Sequence, residues 1–220
     1  MLARAATLEQ EGNLADAVAL YGEILSRYPD NARAYNNFGA VLLRAGKLGE
    51  AEQAFLKAAE LEPSYNTALN NLGYLYLLEG DYEKAGPLLI DAAEMDATNE
   101  SALNNLRAFY IVQNKYGEAA AEWEKLNRLA PANARIKQDL AGIYIKLGDF
   151  AAAEKWAKAT LALDAENVDA RLNLALVYRL TSRHAEAEKL LVTLARKHGD
   201  NADVQLALRE VYLAEGKLEP

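Results

Sequence analysis

An alanine recurs every 34 residues, at Ala17, Ala51, Ala85, Ala119, Ala153 and Ala187. A tyrosine keeps the same interval at Tyr76, Tyr110, Tyr144, Tyr178 and Tyr212. Two independent rows with one period and no insertion require one structural unit stacked on itself. Self-similarity at roughly 20 to 50 residues marks a solenoid or a propeller. In such an array each unit mainly touches its neighbours, so residues that recur without being needed for packing are the ones to examine for function.

Aligned on Pro29, Pro63 and Pro131, the second unit shows two apolar stretches of helical period, split by Gly46 and closed by Pro63. The unit is therefore a helix hairpin. Gly12, Gly46, Gly80 and Gly148, with Asn114 in the same place, stand where the first helix ends and a left-handed residue is needed. Asn13, Asp81 and Asp149 follow and are suited to cap the second helix. The alanine row lies in that second helix. Gly39, Gly73, Ala141 and Ala175 are small on the first helix and are expected to face it. Leu72, Leu106, Leu140, Leu174 and Leu208 are expected to fill the core beside the tyrosines, and Trp123 takes the aromatic slot of Tyr21 and Phe55.

This pattern resembles the tetratricopeptide repeat family, and the resemblance covers essentially the whole chain. It implies an all-α, right-handed α-solenoid of stacked helix-turn-helix hairpins, a single superhelix over 1–220. The repeats fall at 1–31, 32–65, 66–99, 100–133, 134–167 and 168–201, with a terminal half-repeat helix at 202–220. Departures carry expectations of their own. Arg107 and Arg209 occupy the small-residue place, so Arg107 is expected to widen its hairpin or to snorkel towards a carboxylate. Pro87 sits inside a second helix and is expected to bend it or shift its start. The terminal helix carries Leu206 and Leu213 where an end repeat needs a polar outer face. A segment of a longer protein is expected, or a small protein whose leucines pack on a partner or a second copy.

Composition narrows the function. Net charge is −8, from 24 Lys and Arg against 32 Asp and Glu, which argues against a nucleic-acid partner. There is no cysteine, hence no disulfide framework or thiolate chemistry. No apolar run approaches the roughly 18 residues of a spanning helix, so no membrane insertion is expected. No signal peptide is recognisable at the start of the chain, and a soluble protein of cytoplasm or periplasm is expected. His184 and His198 read as turn residues. No phosphate loop, zinc-binding helix or nucleophile elbow is present, so neither catalysis nor a cofactor or metal is expected.

In the family the resemblance names, first helices face a concave groove that takes a protein or peptide partner. Three rows stand out there. Asn37, Asn71, Asn105 and Asn173, with Asp139, form one ladder; Asn36, Asn70, Asn104 and Gln138 form a second beside it. Asparagine is a mediocre helix former, so mid-helix pairs call for another reason. Its amide can pair with the backbone of an extended peptide, or equally with the neighbouring repeat. Leu43, Leu77, Ile111 and Ile145, near Tyr74, Leu78 and Val112, form an aliphatic row suited either to docking a segment or to packing on their own hairpin. Arg135, Lys146 and Arg179 are a candidate anion contact, or a solvated set offset by Asp139 and Asp169. Family members that clamp acidic chaperone tails would need asparagine at Ala6, Ala40, Tyr74, Ala108, Gly142 or Leu176, and none is there. The expected function is a non-catalytic scaffold binding an extended or helical segment. The alternatives are a self-assembling module acting through its terminal helix, or the recruiting segment of a larger envelope, secretion or pilus assembly protein.

Overall fold

A computed structural model describes residues 1–217; the last three residues of the expected 202–220 half-repeat lie outside them. Among the described residues there are thirteen helices and no strand. Contacts divide the chain into two compact units, Met1–Gln113 and Asn114–Pro220. The first contains α1 (Leu2–Gln10), α2 (Leu14–Arg27), α3 (Ala32–Arg44), α4 (Leu48–Leu61), α5 (Asn66–Glu79), α6 (Tyr82–Met95) and α7 (Glu100–Val112). The second contains α8 (Tyr116–Leu129), α9 (Ala134–Leu147), α10 (Phe150–Leu163), α11 (Val168–Leu180), α12 (His184–Lys197) and α13 (Ala202–Ala214). Odd-numbered helices are first helices of the repeat and even-numbered ones second helices. Within each unit a first helix packs on its own second helix, on the preceding second helix and on the next first helix, as α5 does with α6, α4 and α7.

Turn chemistry sets these boundaries. The glycines at 12, 46, 80 and 148 have φ between 75° and 78°, and Asn114 adopts 55° in the same place. Ser182 takes that position in the sixth repeat with φ 60°, a conformation that a Cβ disfavours. Asn13, Asp81 and Asp149 accept the backbone N–H of Asp16, Lys84 and Ala152, capping α2, α6 and α10 as expected. A second capping row was equally present in the sequence but not singled out: Asn31, Asn99, Asn133, Asn167 and Asn201 cap α3, α7, α9, α11 and α13.

The core is the expected one. The alanine row is buried, as are Leu72, Leu106, Leu140 and Leu174 and the aromatic slot Tyr21, Phe55 and Trp123. A Cβ on Gly39 would stand 2.7 Å from the Phe55 ring, and one on Gly73 2.8 Å from Leu89. These contacts are too close for any other residue, and they let α3 and α5 lie against α4 and α6. Pro87 does not shift the start of its helix: α6 begins at Tyr82, 34 residues after the start of α4, and runs through the proline to Met95. Arg107 is half-buried, and its Nη2 donates to Asn104 Oδ1 at 3.2 Å, one turn back on α7. The guanidinium thus lies along its own helix.

Gly86 and Phe109 form a matched pair. Phe109 is the bulkiest member of the row Val41, Leu75, Phe109, Ile143, Val177 and Val211. A Cβ on Gly86 would fall 2.7 Å from its ring. Gly86→Ala should therefore lower the urea midpoint, with overpacking of about 1–3 kcal/mol exceeding the roughly 1 kcal/mol gained in helix propensity. Adding Phe109→Leu, the residue type found in the row at Leu75, should restore much of the loss. Equal midpoints for Gly86→Ala and wild type would contradict the pairing.

Candidate functional site

The asparagine columns are first of all an inter-repeat clasp. Asn71 Nδ2 donates to Asn36 Oδ1 at 2.9 Å, and Asn105 Nδ2 donates to Asn70 Oδ1 at 3.0 Å. Asn36 and Asn70 are only 3% exposed. Asn36 also donates to Asn37 Oδ1 at 3.2 Å. Asn70 donates to Ser101 Oγ at 3.4 Å, and Gln138, at the same place in the repeat, donates to Asp169 Oδ2 at 2.9 Å. Buried amides need partners, and here the next first helix supplies them. The ladders are thereby brought together within the first unit along α3, α5 and α7. Asn71 and Asn105 are half-buried, and each keeps its Oδ1 acceptor and a second N–H outside the clasp. Asn104 is exposed and accepts from Arg107.

In the second unit the ladder changes character. Asp139 is buried, accepting from the Trp123 indole at 3.3 Å and from Arg135 Nε at 3.2 Å. Asn173 and Ile145 are half-buried. The three candidate cations have separate environments: Arg135 is engaged by Asp139, Arg179 by Glu210 at 3.0 Å, and Lys146 is exposed. Trp156 is half-buried against Ala141, Ala157 and Leu174, with the Lys155 ammonium 5.0 Å from its ring centroid.

The aliphatic row is divided: of its members only Ile111 is exposed, together with the neighbouring Leu78 and Val112. Tyr74, Leu77 and Leu43 are half-buried, whereas Leu78 is 55%, Val112 53% and Ile111 49% exposed. The signal was in the repeat: Arg44 and Lys146 stand at the place of Leu78 and Val112, which marks that place as facing solvent. Two recesses lie elsewhere in the first unit. One of about 380 Å³ is lined by Tyr35, Phe38, Gly49, Glu50, Gln53 and Ala54, and one of about 620 Å³ includes Arg27, Tyr28, Arg33 and Glu62.

The tyrosine row supplies a second inter-repeat tie. Tyr76 Oη donates to Glu52 at 2.6 Å and Tyr144 Oη to Glu124 at 2.7 Å, each carboxylate lying on the preceding second helix. In the last two repeats a cation takes over. Arg183 lies over the Tyr178 ring and pairs with Glu154, and Lys217 lies over Tyr212 and pairs with Glu188. The turn residue is Asp81 or Asp149 where the phenol donates, and Arg183 or Lys217 where the cation bridges. The hydrogen bond to Glu124, with burial, pushes the Tyr144 phenol up to about 12; burial and Glu52 push Tyr76 upward as well. The Arg183 and Lys158 hydrogen bonds hold the Glu154 carboxyl below its ordinary range.

Charge is unevenly divided. Residues 1–113 carry 8 Lys and Arg against 16 Asp and Glu, so the whole net charge of −8 lies in the first unit and the second is neutral.

Comparison with known proteins defines the class. Residues 1–130 match the family profile described as the cilia and flagella-associated protein 70 middle TPR-like domain, and residues 110–167 and 139–202 match a tetratricopeptide repeat profile. The chain belongs to the tetratricopeptide repeat family. A search of the curated proteins found no match. Among solved structures it is similar to PilW, a type IV pilus biogenesis factor, at 18% identity and TM-score 0.67, covering 93% of this chain and 94% of that one. It is similar to PilF of Pseudomonas aeruginosa at 19% identity and TM-score 0.65, covering 94% of each chain. It is also similar to YrrB, described as a TPR protein with an unusual peptide-binding site, at 18% identity and TM-score 0.62, covering 86% of this chain and 97% of that one. These likenesses establish the fold. No helix among the described residues is long and apolar enough to cross a membrane.

Two outcomes follow. Asn71→Ala leaves the buried Asn36 carbonyl without its donor and should cost about 1–3 kcal/mol in urea unfolding; Asn173→Ala, which removes no such bond, should cost less than half of that. For the tyrosine tie the sign is fixed by the raised value. The neutral phenol is the form the fold favours, so its stabilisation is complete below the ordinary phenol value and is lost as pH rises through about 12. In an absorbance titration Tyr144 should ionise late, and Glu124→Gln should bring that step back towards the ordinary range.

Proposed function

We propose that the chain is a protein-interaction scaffold with no chemistry of its own, which holds an extended or helical segment of a partner along its first-helix face. The observation that carries this reading is the stripe of Leu78, Ile111 and Val112, each about half exposed at the ends of adjoining helices α5 and α7. Aliphatic side chains clustered in water lose little by remaining single, but a contiguous set gains by being covered. The repeat explains why they are not needed for packing: α3 and α9 are complete with a charged residue at the same place. The family's use as an interaction module supports the reading, as does the likeness to YrrB and to a pilus biogenesis factor. On this account the Asn71 and Asn105 carbonyl oxygens accept backbone N–H groups of the segment, with Asn37, Tyr74 and Leu77 at its margin. Asn36, Asn70, Gln138 and Asp139 serve by fixing the helices that present it.

Because the asparagines are also structural, they are poor probes of binding. Leu78→Ser with Val112→Ser removes the exposed apolar surface without touching the core. Segments selected from a displayed peptide library on the wild-type chain should bind this double variant about tenfold or more weakly, with the far-UV spectrum unchanged. Affinities equal to wild type would dismiss the stripe as the binding face.

A further inference from the structure

The last turns of the first helices differ in one respect. The C-terminus of a helix carries partial negative charge, which a basic side chain in the last turn offsets. Helices α3, α9 and α11 have Arg44, Lys146 and Arg179 there. Helices α5 and α7, like α1 and α13, have no basic residue in the last turn. At the place of Arg44 and Lys146 they present Leu78 and Val112. The cation is thus missing from two successive, contacting helices, and an exposed aliphatic stands in its stead.

Three further observations bear on what would cover this surface. Glu79, next to Leu78, is exposed and has no ion pair among the described residues. The Asn71 and Asn105 amides have each given one N–H to the clasp and keep the Oδ1 acceptor beside a second N–H. The whole unit is the acidic half of the molecule. Carboxylate, amide carbonyls, helix C-termini and the long-range field all favour positive charge and N–H donors, while Leu78, Ile111 and Val112 favour apolar stems.

Resting on the scaffold reading above, we propose that the α5–α7 face takes a cationic amphipathic segment of a partner protein, one in which lysine or arginine alternates with aliphatic residues. Each long basic side chain lays its methylenes on the aliphatic stripe and its charged head at the bare helix ends, supplying from outside the cation that Arg44 and Lys146 supply elsewhere.

The test uses the full chain and a random 16-residue peptide library displayed on phage, selected in parallel on wild type, on Leu78→Lys/Val112→Lys, and on Leu147→Lys/Leu180→Lys. The last pair makes the same charge change at exposed leucines of the second unit. The expected result is enrichment of segments rich in Lys or Arg with Leu, Ile or Val. Their affinity should drop at least tenfold on Leu78→Lys/Val112→Lys and less than threefold on the control pair, and should fall with added salt. Enriched segments that are acidic or neutral, yet still lost on Leu78→Lys/Val112→Lys and on the serine variant, would overturn the cationic class while leaving the face as a binding site. Segments indifferent to both variants, or no enrichment on any chain, would overturn the proposal together with the reading it rests on.

Discussion

The structure depends on how closely two helices can approach inside one repeat. Gly39 and Gly73 stand so near Phe55 and Leu89 that a single methyl group would collide. Ala141 and Ala175 are buried at the same place beside Ala157 and Leu191. Once the hairpin closes at that distance, the alanine row, the aromatic slot and the leucine row are buried within each unit. Gly86 shows a like constraint between successive repeats: the larger Phe109 on α7 is met by the absence of a side chain on α6.

Polar contacts then join one repeat to the next. Two types recur, the asparagine clasp on the first-helix side and the tyrosine tie to the preceding second helix. The tie is chemically adaptable. A phenol donates to glutamate at Tyr76 and Tyr144, and an arginine or lysine over the ring bridges to glutamate at Tyr178 and Tyr212. The clasp is less so, because Asn36 and Asn70 are removed from water and an unmatched buried amide is costly. That difference explains why asparagine pairs persist in three successive repeats of the first unit despite their poor helix propensity.

Much of the fold was legible because packing residues obey the period. The glycine turns, the caps at Asn13, Asp81 and Asp149, and the buried rows were all read from spacing alone. Exceptions to the period were harder. Ser182 replaces a glycine and adopts its conformation regardless, since the turn is imposed by the two helices around it. The tyrosines, expected simply as core, carry their hydroxyls out to carboxylates that lie 20 or 24 residues earlier in the chain, a distance that no local pattern reveals. On the candidate helices the period did not separate buried from exposed side chains. Asn36 and Asn70, expected as ligand contacts, are buried partners of Asn71 and Asn105. Ile111 of the aliphatic row is exposed, as are Leu78 and Val112 one residue beyond it. A helical stripe one residue to the side turns by about 100°, enough to exchange solvent for core.

The central claim is that the asparagine ladder is committed to holding repeats together, so that the neighbouring aliphatic stripe gives the face its character. Side-chain amide hydrogen exchange of the free chain, followed by nitrogen-15 NMR, addresses this most directly. One amide proton of Asn71 and one of Asn105 should exchange far more slowly than those of Asn173, which joins no clasp. Exchange of all three at the rate of a solvated amide would show that the clasp is not formed and would return the ladder to the role of an open peptide-binding surface.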